Sequence, residues 1–320
     1  MEATSVHYTA DNTMDRFYDM WNSTWLASPI THDSFGYRDF KLHTEFPMLK
    51  SLHLDAEMSF NEGHIWTRLN RIYWWASILA VVVYLVLVFG GQRLMRNRKP
   101  FHLKSLLAGW NLLLAVFSAV GTIRLVPHLL YGLTINHHTY FFCRAASESY
   151  GQGPAGLWAN MFVWSKFPEL LDTAFLVLRK KPISFLHAFH HTTVLTVCWF
   201  AGQYQLPIGI FVASINYVIH SIMYFYYFLH AIEKRPKWGR IITQMQIAQM
   251  FIAMCLILYH YRLMTTVRNC DGSYKNITSG LPLAAAYLVL FTQFYISRYV
   301  SSRKRSVTSP LQREVDLKGG

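Results

Sequence analysis

The sequence predicts an all-α polytopic membrane protein with seven transmembrane helices. Two observations carry this. The 320-residue chain is 52% hydrophobic and 16% aromatic, with a mean hydropathy of +0.18. Its apolar residues gather into seven runs, at about 72–90, 105–123, 155–178, 184–202, 207–229, 241–261 and 281–297. Crossing a bilayer takes about 20 predominantly apolar residues, a length of continuous run that a soluble core does not require. The second observation is charge placement. The clusters GQRLMRNRKPFHLK (91–104), RKKP (179–182), EKRPKWGR (233–240) and SRKRS (302–306) fall in alternate connections. Basic residues accumulate on the cytosolic side of membrane proteins. The pattern therefore puts the N-terminus and loops 124–154, 203–206 and 263–280 in the lumen, and the C-terminus in the cytosol.

Taken in order, residues 1–59 are polar and acidic with aromatic interruptions, and read as a lumenal extension. Residues 60–305 form the membrane domain. Residues 306–320 are polar and read as a disordered cytosolic tail. The first apolar run starts too far from the N-terminus to be a cleaved signal peptide. The net charge of +13 sits in short loops rather than on one face. That distribution excludes a nucleic-acid partner and suits anionic lipid. Asn22-Ser-Thr and Asn276-Ile-Thr are glycosylation sequons on the lumenal side. Cys143 and Cys270 fall in lumenal loops, where a disulfide persists. Cys198 and Cys255 lie within spans as small core residues.

The spans carry polar residues that a bilayer penalises. In the third, Lys166 and Glu169 are three apart and can pair, Asp172 lies within reach of the same network, and Thr173 extends the face. In the fourth, His187, His190 and His191 share one face roughly 5–12 Å inside the membrane at 1.5 Å per residue. In the fifth, Asn216, His220 and Tyr224 are spaced by four and Tyr227 continues the stripe. In the sixth, Thr243, Gln246 and Gln249 are spaced by three. In all four spans most of them fall between mid-membrane and the cytosolic face. Groups at that depth must face the bundle interior and find partners, so they predict a lined cavity open toward the cytosol.

Each group also has a plainer reading. Lys166, Glu169 and Asp172 suit a structural ion cluster, the glutamines suit interhelical contacts, and the tyrosines suit an interfacial belt. The HxxHH spacing also suits metal. A di-iron site needs more histidines than one such box and His220 supply, whereas one ion could take His187 and His191. The competing chemistry is nucleophilic. An imidazole attacks a thioester and holds the acyl group in transferable form, while neighbouring His, Asn and Gln move protons or stabilise an oxyanion. The basic rim at Arg179, Lys180, Lys181 and Arg240 suits a phosphorylated carrier.

Together KFPELLDT, HAFHH, NYVIHSIMYFYY and TQMQIAQ resemble the four motifs of the very-long-chain fatty acid elongase (ELO) family, in order and each in its expected span. The resemblance runs from about Phe60 to about Arg305. FGGQRLM (89–95) and LAVFSAVG (114–121) resemble the branch acting on saturated and monounsaturated chains. Where the polyunsaturated branch has Gln five residues before the His box, this chain has Pro182.

The resemblance implies a multi-pass enzyme of the endoplasmic reticulum, with six of seven helices forming a barrel around an acyl tunnel closed at the lumenal end. It implies condensation of acyl-CoA with malonyl-CoA to a 3-oxoacyl-CoA two carbons longer, releasing CO2 and CoA, with no metal or other cofactor. It makes His190 the nucleophile, assisted by His187, His191 and His220. Asn216, Gln246 and Gln249 are candidate donors to substrate, and Lys166, Glu169, Asp172, Tyr224 and Tyr227 shape the site. Its expected partners are the reductases and dehydratase of the elongation cycle, and a second copy of the chain. Two alternatives stay open: a membrane di-iron desaturase or hydroxylase, and a non-enzymatic seven-helix receptor.

Overall fold

A computed structural model describes residue 37 and residues 40–301, apart from residue 205. Asn22 and the 306–320 tail lie outside the described residues, as does most of the 1–59 extension. Every regular element among the described residues is helical. Helix α1 (Gly63–Ile72) turns at Tyr73 into α2 (Trp74–Met95), and α3 is Lys104–Ile135. The motif region holds α4 (Gly153–Ser165), a 3-10 turn (Pro168–Leu170), α5 (Leu171–Leu178), α6 (Phe185–Ala201), α7 (Gly209–Ala231), α8 (Gly239–Thr266) and α9 (Tyr274–Tyr295).

The protein is a multi-pass membrane protein. Among the described residues, five helices are long and apolar enough to cross a bilayer: α2, α3, α7, α8 and α9 with its extension to Val300. Sequence periodicity predicted seven, and the two shortfalls have local causes. The third predicted span is broken at Pro168. Proline lacks the N–H a continuing helix needs, and its ring displaces the carbonyl four residues back. The result is a 13-residue α4 and an 8-residue α5 on either side of a tight turn. The fourth, α6, has only 17 residues. Ser184 caps it by accepting from the His187 N–H at 3.2 Å, which fixes where the His-bearing helix begins.

Helices α3 and α7 make the most extensive pair, with α8 and α9 next. Gly121 permits the first contact, because a Cβ there would stand 2.7 Å from the Tyr217 ring. Val82, Val86, Leu87 and Phe89 of α2 point outward, as lipid-facing residues do. The basic clusters at 91–104, 179–182 and 233–240 mark one end of the molecule, called here the basic end, where Lys180 donates to the Arg96 and Arg98 carbonyls and Lys104 pairs with Glu233. The disulfide marks the other: Cys143 is joined to Cys270 across 127 residues. Around it, Asp271 N donates to Cys143 O and Ala145 N to Asp271 Oδ2, both at 3.0 Å.

Residues 40–60, read from the sequence as part of an extension, pack against the helices. Phe40 stacks on His128 at 4.6 Å and Phe46 meets Tyr131 edge-on at 5.2 Å. Glu57 is buried, accepting from Arg124 Nε and its terminal nitrogen and from Trp158 Nε1 at 2.7 Å. Burial pushes this carboxyl up, but the bonds from Arg124, Trp158 and the Leu54 N–H outweigh it and hold it below the ordinary carboxylate range.

Candidate active site

The break at Pro168 brings two acids to bear on different neighbours. Before it, Lys166 Nζ donates to Glu169 Oε1 at 2.6 Å, with both side chains almost fully buried. Ser165 Oγ donates to the same oxygen at 2.8 Å, and the ammonium lies 4.4 Å from the Phe162 ring. A buried pair of this kind persists only with such added contacts. After it, Asp172 is not part of that pair. It accepts from Trp110 Nε1 of α3 at 2.6 Å and from Tyr224 OH of α7 at 2.8 Å, tying three helices together.

Thr173 links α2 to the His box. Its Oγ1 lies 3.0 Å from Tyr84 OH and 2.8 Å from His187 Nε2. His187 meets His191 at 4.3 Å between ring centroids, and His191 is buried beside Tyr84. Two of the three box histidines are thus held by protein neighbours. His190 differs. Its ring sits 5.3 Å from that of Tyr287 and borders a cavity of about 360 Å3. Tyr287 OH reaches Thr193 Oγ1 at 2.6 Å and the His190 carbonyl at 3.4 Å.

The fifth and sixth predicted spans contribute unevenly. Asn216 and Gln249 line the cavity, and Asn216 Oδ1 is buried with no partner among the described residues. His220 is buried with its ring 5.5 Å from Tyr224. Gln246 Nε2 lies 3.4 Å from Met223 Sδ, and Thr243 bonds within its own helix. Tyr227 is 43% exposed and outside the network. Of the rim cations, Lys180 adopts a left-handed backbone (φ 53°) and donates to the Arg96 and Arg98 carbonyls, while Arg240 donates to Tyr295 OH at 2.6 Å. Lys181 is exposed.

Two expectations need restating. The cavity's lining includes no residue of the basic clusters: it runs from His190, Gln249 and Tyr287 toward the disulfide end, reaching the exposed residues Asn61, His64 and Gln152. Asn276 of the second sequon lies in the first turn of α9, its Nδ2 buried at the cavity wall rather than presented to solvent. Among the described residues, no three His, Cys, Asp or Glu side chains converge as metal ligands. Sequence reasoning also missed Tyr84, Trp110, Ser165, Thr193 and Tyr287. Tyr84, Trp110 and Tyr287 are marked only by partners on other helices, Thr193 by its bond to Tyr287, and Ser165 by its bond to Glu169 four residues on.

Comparison with known proteins adds the family. Residues 71–307 match the profile of the ELO, GNS1/SUR4 family. Very long chain fatty acid elongase 6 of Homo sapiens is 33% identical over 81% of this chain and 96% of its own. Its Drosophila melanogaster counterpart is 37% identical over 68% and 70%. Fatty acid elongase 3 of Trypanosoma brucei brucei is 34% identical over 75% and 89%. A match over most of the length, with His190, Asn216 and Gln249 of three motif helices lining one cavity, places this chain in the ELO family as a fatty acid elongase, a 3-oxoacyl-CoA synthase.

Proposed function

We propose that this elongase works through an acyl-imidazole on His190. The observation that supports it is position: of the four histidines at the basic end, His190 alone borders the described cavity. His190 attacks the thioester carbonyl, the C–S bond breaks, and CoA leaves as the thiol after taking a proton. Malonyl-CoA then binds and loses CO2. The resulting enolate carbon attacks the acyl carbonyl, and imidazole leaves. The product is a 3-oxoacyl-CoA two carbons longer, and no external oxidant or reductant enters. Asn216 and Gln249 are the nearest amides for polarising carbonyls. His187, held by Thr173, and His191 position the box. His220 is the remaining candidate for proton transfer.

In this reading α4–α5 and α6 complete seven spans, with a six-helix barrel enclosing the acyl chain. The basic end faces the cytosol, where CoA esters arrive, and the disulfide end faces the lumen of the endoplasmic reticulum. Lys181 is the rim cation best placed for CoA phosphates, because Lys180 and Arg240 already have protein partners. Other elongation-cycle enzymes and a second copy are the expected partners. The test uses purified protein, palmitoyl-CoA and labelled malonyl-CoA. The expected result is a C18 3-oxoacyl-CoA, lost in His190→Ala, with a palmitoyl adduct on the His190 peptide when malonyl-CoA is withheld. An adduct on another histidine would reassign the nucleophile.

A further inference from the structure

The two ends of the cavity differ in chemistry. Its middle is walled by apolar residues such as Val194, Val197, Ala213 and Leu283, as an alkyl chain requires. Its far end is not apolar. His260 of α8 is only 2% exposed, lines the cavity and, apart from a contact with the Phe142 backbone, has no hydrogen-bond partner on its ring nitrogens among the described residues. Asn276 of α9 lines the same cavity with a buried and unpartnered Nδ2.

Helix register brings the two together. Gly280 of α9 faces Ile257 of α8, with its Cβ position 3.4 Å from Ile257 Cδ1. The helices run antiparallel, so one turn further His260 stands level with the Asn276 turn. Along α6 the lining continues from His190 to Gly202, twelve residues or roughly 18 Å at the helical rise. A long acyl chain attached at His190 therefore directs its ω-end toward His260 and Asn276.

Buried polar atoms are almost always paired, and leaving them unpaired against a methyl group forfeits their hydration without return. A neutral imidazole offers one donor and one acceptor, and an amide nitrogen offers donors. A hydroxyl matches both, because it accepts from the amide while donating to the unprotonated ring nitrogen. We infer that this cavity is built for acyl chains bearing a hydroxyl at the ω-carbon, held at the far end by His260 and Asn276. The inference rests on the elongase reading above and adds to it the class of chain.

The experiment compares palmitoyl-CoA with 16-hydroxypalmitoyl-CoA as primers for the purified full-length protein. The expected kcat/KM for the hydroxy primer equals or exceeds that for palmitoyl-CoA. One lost hydrogen bond is worth about a factor of ten, so His260→Leu lowers the hydroxy-to-plain ratio about tenfold. Asn276→Leu moves the ratio in the same direction and serves where His260→Leu does not fold. A hydroxy primer used at under a tenth the efficiency of palmitoyl-CoA overturns the inference and leaves condensation standing. So does a ratio untouched in a folded variant. Elongation of neither primer overturns both readings.

Discussion

At the scale of single residues, function depends on side chains that hold other side chains. Asp172 joins α5 to α3 and α7 by accepting from Trp110 and Tyr224. Asp172→Ala leaves two buried donors unpaired, each costing about 1–3 kcal/mol. The expected outcome is a lowered thermal midpoint, with Asp172→Asn losing less because its carbonyl oxygen still accepts. Equal midpoints for both variants and the parent would remove the network's structural role. Tyr287 bonds Thr193 and reaches the His190 carbonyl, so it fixes the turn that presents His190. Tyr287→Phe is expected to lower kcat about tenfold with little change in KM, the signature of a mispositioned reacting group. A change in KM alone would make it a chain-binding residue.

At the scale of elements, the disulfide end is fastened twice. The Cys143–Cys270 bond closes a loop of 127 residues. Constraint of the unfolded chain by so long a loop is worth about 4–5 kcal/mol. Cys143→Ser should therefore lower the thermal midpoint by several degrees, and adding reductant to this variant should lower it no further. The second fastening is Glu57. Its folded pKa lies below the ordinary 4.5, so its contribution is full above that value and is lost as pH falls through the lower folded value. Amide exchange across residues 54–60, corrected for intrinsic rates, should rise as pH falls below the ordinary 4.5. Glu57→Gln should show fast exchange at both pH 4 and pH 7. Corrected exchange that is equal at pH 3 and pH 7 in the parent would mean the Arg124 contact contributes nothing.

At the scale of the whole molecule, the helices line a cavity that extends from His190 past Ala253 to His260, and blocking it tests what it admits. Ala253 of α8 lines it between the Gln249 and His260 levels. Ala253→Trp fills that level. The variant is expected to keep elongating octanoyl-CoA and to lose palmitoyl-CoA by at least tenfold, measured as labelled product. Equal loss of both primers would point to disruption at His190 rather than to a blocked chain.

The sequence by itself determined the membrane class, the alternation of basic loops and the four polar motifs. These are local matters: runs of apolar residues, charges in short connections, and spacings of three and four that any helix converts into a face. The same spacing put Lys166 beside Glu169 and His187 beside His191. It gave Asp172 no partner beyond Glu169, because Trp110 and Tyr224 lie 62 and 52 residues away and only packing brings them close. It carried the third span straight through Pro168, since hydropathy counts apolar side chains and not the missing N–H. It read residues 40–59 as an extension because the contacts that dock them, Phe40 on His128 and Glu57 on Arg124 and Trp158, are with the distant helices α3 and α4. The tertiary structure alone decided which histidine borders the cavity, which way that cavity runs, and that His260 and Asn276 line it. A cavity is the space between helices, and no one helix's periodicity records it.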